Sequence, residues 1–246
     1  MNGAMAFGGE LQRTMTLFKL FRKEPTEPDR FYTFLANDTV KRLLAFAPLA
    51  GAVVLDVGGG PGYVASAVRD AGASCIVAEY AAAELFLHGR SPDGAIRADG
   101  QALPIQSGGV DVCHSSNVLE HVPDPHAMLG EMIRVTRPDG LIYLSFTNWL
   151  SPWGGHETSP WHYLGGDYAA RRWQGKHAAA PKNHFGQSLH RVDVGQVLRW
   201  VRQRDDIQVL RSGSRYLPSW TSPILRIPGV REVAVWNLEL ILRRRT

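Results

Sequence analysis

The sequence predicts a single α/β domain, a mostly parallel sheet with helices on both faces. Apolar β-branched runs at 52–57, 74–79, 94–98, 110–115 and 140–146 alternate with helical spacings at 61–71, 81–88 and 125–137 across short connections, the pattern of a parallel sheet with crossover helices. The first run reaches Asp56 and breaks into Gly58, Gly59, Gly60 and Gly62 before helical spacing resumes, which reads as buried strand, tight turn and helix start. The acidic residues Asp56, Glu79 and Asp99 all fall at carboxyl ends of predicted strands, where open parallel sheets bind their ligands.

With 246 residues, 44% of them hydrophobic and 20% charged, the chain is long enough for one domain with a full core. A helical cover is expected at 10–47, a binding core at 48–146, an insertion at 147–190 and closing elements at 191–246. The charge of +4 is mild, and Lys and Arg are dispersed except at Arg243-Arg244-Arg245, so no nucleic-acid partner is implied. Cys75 and Cys113 lie inside predicted strands and read as small core hydrophobes of a reducing compartment. No run approaches the ~20 apolar residues that cross a bilayer, and no signal-peptide core is present, so a cytoplasmic location is expected.

Residues 1 to 9, rich in Gly and Ala, are expected to lack structure. From Glu10 to Lys23, Leu11, Met15 and Phe18 recur at helical spacing among Arg13, Lys19, Arg22 and Lys23. This segment fits a helix packed over the cleft, or a basic amphipathic helix making peripheral contact with an anionic membrane through residues 10–23. After Pro25 and Pro28, Asp29 is expected to cap a helix over Arg30 to Phe46.

The glycine turn would let a ligand approach exposed backbone amides, since a Cβ would hold it off. Gly60-x-Gly62-x-x-Ala65 satisfies the dinucleotide fingerprint, with Glu79 at a distance suited to a ribose diol. Asp56, however, stands where a pyrophosphate would be repelled and an ammonium attracted. Two further motifs, Ser116-Asn117-Val118-Leu119-Glu120-His121-Val122-Pro123-Asp124-Pro125 and Arg134-Val135-Thr136-Arg137-Pro138-Asp139-Gly140-Leu141-Ile142-Tyr143-Leu144-Ser145, complete the pattern. Over roughly residues 28–146 the chain resembles class I S-adenosylmethionine (SAM)-dependent methyltransferases. Including Gly154-Gly155-His156-Glu157, it is similar over most of its length to uncharacterised actinobacterial methyltransferases.

The resemblance implies a Rossmann-like, seven-stranded sheet closed by an antiparallel C-terminal hairpin at about 207–213 and 235–242. It also implies SAM as cofactor. Gly58, Gly59, Gly60 and Gly62 would admit the amino-acid part of SAM, with Asp56 fixing its ammonium directly or through water. Glu79 would accept from the ribose hydroxyls, Tyr80 would lie against the adenine, and Asp99 with Gly100 and Gln101 would read the adenine edge. Asn117 and His121 would border the sulfonium. Some related quinone-type O-methyltransferases bind a divalent cation beside their Glu-His pair with an extra carboxylate three residues earlier. Here that position is Asn117, a poorer ligand for a hard cation, so no metal is expected.

Between Thr147 and His190 the alternation stops, three of the seven tryptophans fall within 147–168, and five of the nine histidines lie between 156 and 190. A long, aromatic-rich loop of this kind is expected to cap an acceptor pocket. His156 is the first candidate for a base taking the acceptor's proton, with Glu157 orienting its ring, and His162 is the second. The chemistry expected is methyl transfer to a small-molecule or lipid acceptor, more readily at oxygen than at nitrogen or carbon. The alternatives are an NAD(P)-dependent oxidoreductase, for which no Tyr-x-x-x-Lys pair is recognisable, and a non-catalytic SAM-binding regulator.

Overall fold

The structure is a computed structural model describing residues 2–246, with side chains described from residue 8 onward. Seven strands form one sheet: β1 (Val53–Val57), β2 (Ser74–Glu79), β3 (Ala95–Arg97), β4 (Val110–Ser116), β5 (Thr136–Thr147), β6 (Ile207–Ser214) and β7 (Asn237–Arg244). Their order is β3-β2-β1-β4-β5-β7-β6. β1 to β5 run parallel, β7 returns antiparallel to β5, and β6 lies antiparallel to β7. Strand order therefore reverses between β1 and β4, the place at which such sheets open a crevice for ligands.

The helices are α1 (Asn2–Phe21), α2 (Pro28–Leu44), α3 (Tyr63–Asp70), α4 (Pro125–Val135), α5 (Gly166–His177), α6 (Val194–Arg202) and α7 (Val230–Ala234). Alternate residues of β1 face opposite layers. Leu55 and Val57 join a core with Met128, Leu129 and Met132 of α4 and Val197 and Val201 of α6. Val54 joins Val40 and Leu43 of α2 and Ala67 and Val68 of α3 on the other face. Burial on both faces explains why β1 reads as a continuous apolar run. Cys75 and Cys113 are buried free thiols within these layers, as the sequence suggests.

Several boundaries depart from expectation. The backbone is already helical from Asn2, so the stretch expected to lack structure continues α1. Asp29 does not cap α2: Glu27 holds that position without a side-chain bond, and the Asp29 carboxylate accepts from the Tyr63 hydroxyl at 2.5 Å. The expected helix over 81–88 is a 3-10 segment, Ala82–Gly89, that Leu87 and His88 leave through non-helical dihedrals. It buries none of its residues, so no packed face draws it into an α-helix. α4 ends at Val135 and the chain passes directly into β5, because Pro138 disfavours helix at the residue before it. Asp124 caps α4, its Oδ1 accepting from the amides of His126 (2.9 Å) and Ala127 (3.0 Å).

α1 seats Leu17 against Phe31 and Leu35 of α2, and leaves Leu11, Met15 and Phe18 exposed. Among the described residues, no helix is long and apolar enough to cross a membrane.

A chain of charges crosses from α1 to the closing strands. Arg13 and Arg42 hold Asp38 at 2.6 and 3.0 Å, and Arg42 also reaches the fully buried Glu239 at 2.5 Å. Tyr143 donates to the other oxygen of Glu239 at 2.9 Å, and Arg211 lies 3.2 Å away. Burial opposes ionisation of Asp38, but the two guanidiniums more than offset it and hold its carboxyl below the usual range. Asp38 therefore stabilises the fold at neutral pH and loses that share only as acid protonates it. Replacing one partner of a buried pair strands the other charge. Arg42→Met is expected to lower stability by about 3 kcal/mol in urea unfolding, with the folded circular-dichroism spectrum retained.

Candidate active site

Asp56 ends β1 buried, and His114, its register partner on β4, donates through Nδ1 to Oδ1 at 2.7 Å. The other oxygen has no partner among the described residues. It lies directly beneath the turn, where a Cβ on Gly59 would come within 2.5 Å of it. Asp56, 1% exposed, is therefore a floor for the glycine turn. A Cβ on Gly58 would meet Val118 at 2.2 Å, so Gly58 and Gly59 are required by packing below the turn. Gly60, at φ +49°, faces open space: a Cβ there would find its nearest neighbour, Glu84 O, 3.8 Å away. It is the glycine of the three that leaves room for a ligand.

Glu79 closes β2 with its Oε2 accepting from the Gly60 amide and Oε1 from the Ala81 amide, both at 3.1 Å. Burial raises its carboxyl above the usual range even though those amides favour the charge. Tyr80, next along, stands with its ring exposed. Asp99 accepts from the backbone and side-chain nitrogens of Gln101 at 2.8 and 3.1 Å, and Gln101 in turn accepts from the Asp124 amide at 3.0 Å. Gly100 packs against Val57 and Met128, where a Cβ would lie 3.2 Å from Val57. The expected cofactor residues thus line the carboxyl ends of β1, β2 and β3 around one turn.

The mouth of this crevice is walled by residues that carried no sequence signal as a group. Tyr63, in the first turn of α3, bonds Asp29 and approaches His88 Nδ1 at 3.0 Å, while Tyr32 of α2 stacks on its ring at 5.3 Å. The guanidinium of Arg90 covers the Tyr63 ring at 4.4 Å. Through Tyr32, α2 packs against the start of α3, which follows the turn.

Beyond β4, Asn117 takes a left-handed backbone (φ +56°), which Asn tolerates better than most residues. Its amide donates to Ser145 O at 2.8 Å, and its Oδ1 accepts from Asn237 Nδ2 at 2.7 Å. Asn117 so ties β4 to β5 and β7. Beside it, Arg215 is buried and donates to Ser145 Oγ at 2.7 Å, to Thr39 Oγ1 at 2.9 Å and to Ser116 Oγ. His121 follows in a 3-10 turn, Leu119–His121, its Nδ1 at 2.6 Å from Ser188 O.

The segment after β5 folds back over these strand ends. It contains two short 3-10 turns, His156–Thr158 and Trp161–Leu164, and then α5, a helix the sequence did not suggest. Its three candidate residues part company. His162 is 1% exposed and uses both ring nitrogens, Nε2 toward Ser151 O at 3.1 Å and Nδ1 toward Ser159 Oγ at 3.3 Å, so it pins the segment and has no free nitrogen for a substrate. Glu157 does not orient His156; its carboxylate accepts from the Asn183 amide and side chain at 2.7 and 2.8 Å. Gly154 and Gly155 serve the segment's own packing, since Cβ atoms there would meet Trp149 O at 1.9 Å and His162 Cβ at 2.5 Å.

His156 differs. Its Nε2 is buried with no partner among the described residues, and its ring meets that of His121 edge-on with centroids 5.0 Å apart. Burial holds its pKa below the ordinary histidine value, so it is neutral near pH 7 and keeps a lone pair. Glu120 lies with these two rings, 2% exposed. The sequence singles out Glu120 only as half of the Glu-His pair for which no metal is expected, although a carboxylate inside the apolar run Val118-Leu119-Glu120-His121-Val122 is a visible irregularity.

Comparisons with known proteins agree with this geometry. A family model described as a methyltransferase domain matches residues 28–202. An uncharacterised methyltransferase of Mycobacteroides abscessus is 46% identical over 96% of this chain and 95% of its own. One of Mycolicibacterium gilvum is 46% identical over 95% and 94%. Among solved structures, a SAM-dependent methyltransferase from Mesorhizobium loti aligns with a TM-score of 0.57 at 19% identity, covering 83% of this chain and 96% of that one. The chain belongs to the methyltransferase-domain family.

Proposed function

We propose that this protein is a cytoplasmic SAM-dependent methyltransferase that methylates a small-molecule or lipid acceptor, at oxygen in preference to nitrogen or carbon. The observation that carries the acceptor reading is the segment after β5, which closes over the carboxyl ends of β4 and β5 and presents the unpartnered nitrogen of His156 there. A protein that only sensed the cofactor would have no use for a segment of this length folded over the neighbouring strand ends.

The crevice suits SAM on chemical grounds. Its donor set is acidic, with Glu79 and Asp99 at successive strand ends, and Gly60 leaves open space above the turn. A carboxylate at the end of β2 accepts hydroxyl donors well, and Asp56 beneath the turn repels pyrophosphate. In this reading Glu79 holds the ribose, Tyr80 and Asp99 the adenine, the Gly58–Gly62 turn with Asp56 the amino-acid end, and Asn117 and His121 border the sulfonium. SAM, when bound, supplies a methyl group already activated on a sulfonium.

The protein's own part is positional. It must hold the acceptor atom ~3 Å from the methyl carbon and in line with the sulfur, with water excluded. α2 covers the start of α3 through Tyr32, stacked on Tyr63, the capping segment covers β4 and β5, and His156 is the side chain by which the cap meets the acceptor's hydroxyl. Peripheral contact with an anionic membrane through residues 10–23 belongs to the same reading. It is supported by the exposed stripe Leu11, Met15 and Phe18 with Lys19 and Arg22 nearby.

Calorimetric titration should show binding of SAM and its demethylated product but none of NADH; preference for NADH would overturn the reading. Glu79→Gln should weaken SAM by roughly tenfold or more, the scale of a charge-assisted hydrogen bond. Because burial raises the Glu79 carboxyl, wild-type affinity should fall on acidification at a higher pH than an ordinary carboxylate would give, and Glu79→Gln should flatten that dependence. With methyl-labelled SAM and a cell extract as acceptor source, His156→Ala should lower label transfer by ~10² or more while leaving SAM affinity unchanged. Co-sedimentation with anionic vesicles, lost in the double variant Met15→Glu, Phe18→Glu, checks the membrane contact.

A further inference from the structure

We infer that Glu120, His121 and His156 form a divalent-cation site, assembled jointly by the turn after β4 and the capping segment, that binds the acceptor's oxygen. Each of the three offers one ligand atom, and these atoms lie within 4.8 Å of one another. A bound transition metal, with ligands at about 2.0–2.2 Å, would draw them to separations on the order of 3 Å, a closure within reach of side-chain rotation.

The bonding around the three side chains leaves one gap of the right kind. Glu120 is 2% exposed. Its Oε1 accepts from the Thr147 amide at 2.9 Å, whereas Oε2 is buried with no partner among the described residues. A buried carboxylate oxygen without a donor is costly unless something positive satisfies it. His121 commits Nδ1 to Ser188 O at 2.6 Å. A carbonyl can only accept, so Nδ1 carries the proton and Nε2 keeps the lone pair. That carbonyl-to-imidazole bond is the outer-shell arrangement that fixes a metal-binding histidine. His156 supplies the third donor, its Nε2 equally buried and unpartnered.

The donor set indicates the metal. Two imidazoles and one carboxylate favour zinc, iron(II), manganese(II), cobalt(II) or nickel(II) over magnesium or calcium, which prefer all-oxygen shells. Three protein ligands leave coordination positions open. The absence of a carboxylate at Asn117, which argues against a metal from sequence, is answered by His156, a ligand that arrives from 35 positions further along the chain than His121.

The consequence rests on the methyltransferase reading. A cation at this place would take the acceptor's oxygen, so the acceptor class is a hydroxyl compound, extended to a vicinal diol or hydroxy-carbonyl compound where the cation is six-coordinate. With His156 spent as a ligand, the cation would take over the part of the base: coordination would lower the hydroxyl pKa, as it does for water, and the proton would leave to solvent before the site closes. The oxygen lone pair then forms the new bond to the methyl carbon as the carbon–sulfur bond breaks, its electron pair remaining on sulfur as a neutral thioether.

The test is calorimetric titration of the full chain, stripped with chelator, by Zn²⁺ and by Mn²⁺ in separate experiments, with SAM titrated into the same samples. One cation per chain is expected for the wild type. His156→Ala and Glu120→Gln should each weaken it by about 100-fold while binding SAM as the wild type does. Gln at position 120 can still accept from the Thr147 amide, so it keeps that fold contact. The Co²⁺ absorption spectrum of the wild type should show nitrogen and oxygen coordination that His156→Ala removes. No saturable binding of either cation, or one-to-one binding that persists unchanged in both variants, would overturn the site. A wild type that bound the cation but not SAM would remove the methyltransferase reading and leave the site standing.

Discussion

The buried contact between Asp56 and His114 is the constraint on which the crevice depends. It joins β1 to β4 at the one place where strand order reverses, 2.7 Å across the sheet. A carboxylate there must be covered, and the cover is the glycine turn itself, with Gly59 pressed onto the second oxygen. The shape of the turn follows from what lies beneath it. Gly58 closes against Val118 and so fixes where the loop after β4 begins. The residues of that loop, Asn117 to His121, inherit their positions from it.

A second polar cluster does the same for the far half of the sheet. Arg215 leaves β6 and reaches Ser116, Ser145 and Thr39, joining β4, β5 and α2 at one guanidinium. Asn117 and Asn237 complete the link to β7. The Rossmann-like half and the closing antiparallel strands are thus fastened by hydrogen bonds at the same end of the sheet at which the ligand residues converge. Buried polar networks hold a single geometry only when their members are satisfied. Among the exceptions, Asp56 Oδ2, Glu120 Oε2 and His156 Nε2 gather around the crevice and the cap.

The fold was readable in the sequence because its signals are local. The apolar runs, the glycines after Asp56 and the helical spacings each report on a few neighbouring residues, and the five parallel strands lie where those runs predicted them. The positions of Glu79 and Asp99 were readable for the same reason, since a strand end is a local feature. The hydrogen-bond partners of Asp56, His162 and Glu157 were not. Whether a carboxylate faces a ligand or a histidine 58 positions away depends on strand register, and no local pattern encodes that. Within the cap, three neighbouring polar residues looked equivalent as a string. Only the folded segment shows that two are spent on Ser151, Ser159 and Asn183 while the third keeps an unpartnered nitrogen. α5 escaped notice because its exposed, charged sequence buries only Gly166, Ala169 and Ala170, too few apolar positions to set a period.

Trp153 of the cap makes contacts on two sides. Its ring meets Phe21, at the end of α1, with centroids 5.3 Å apart, and Trp236, just ahead of β7, at 4.8 Å. Helix α1 and the segment that roofs the ends of β4 and β5 therefore share one aromatic joint. Lifting α1 from the body would unseat the roof, and raising the roof would tug on α1. Displacement of the helix and displacement of the segment after β5 are in this way mechanically one event.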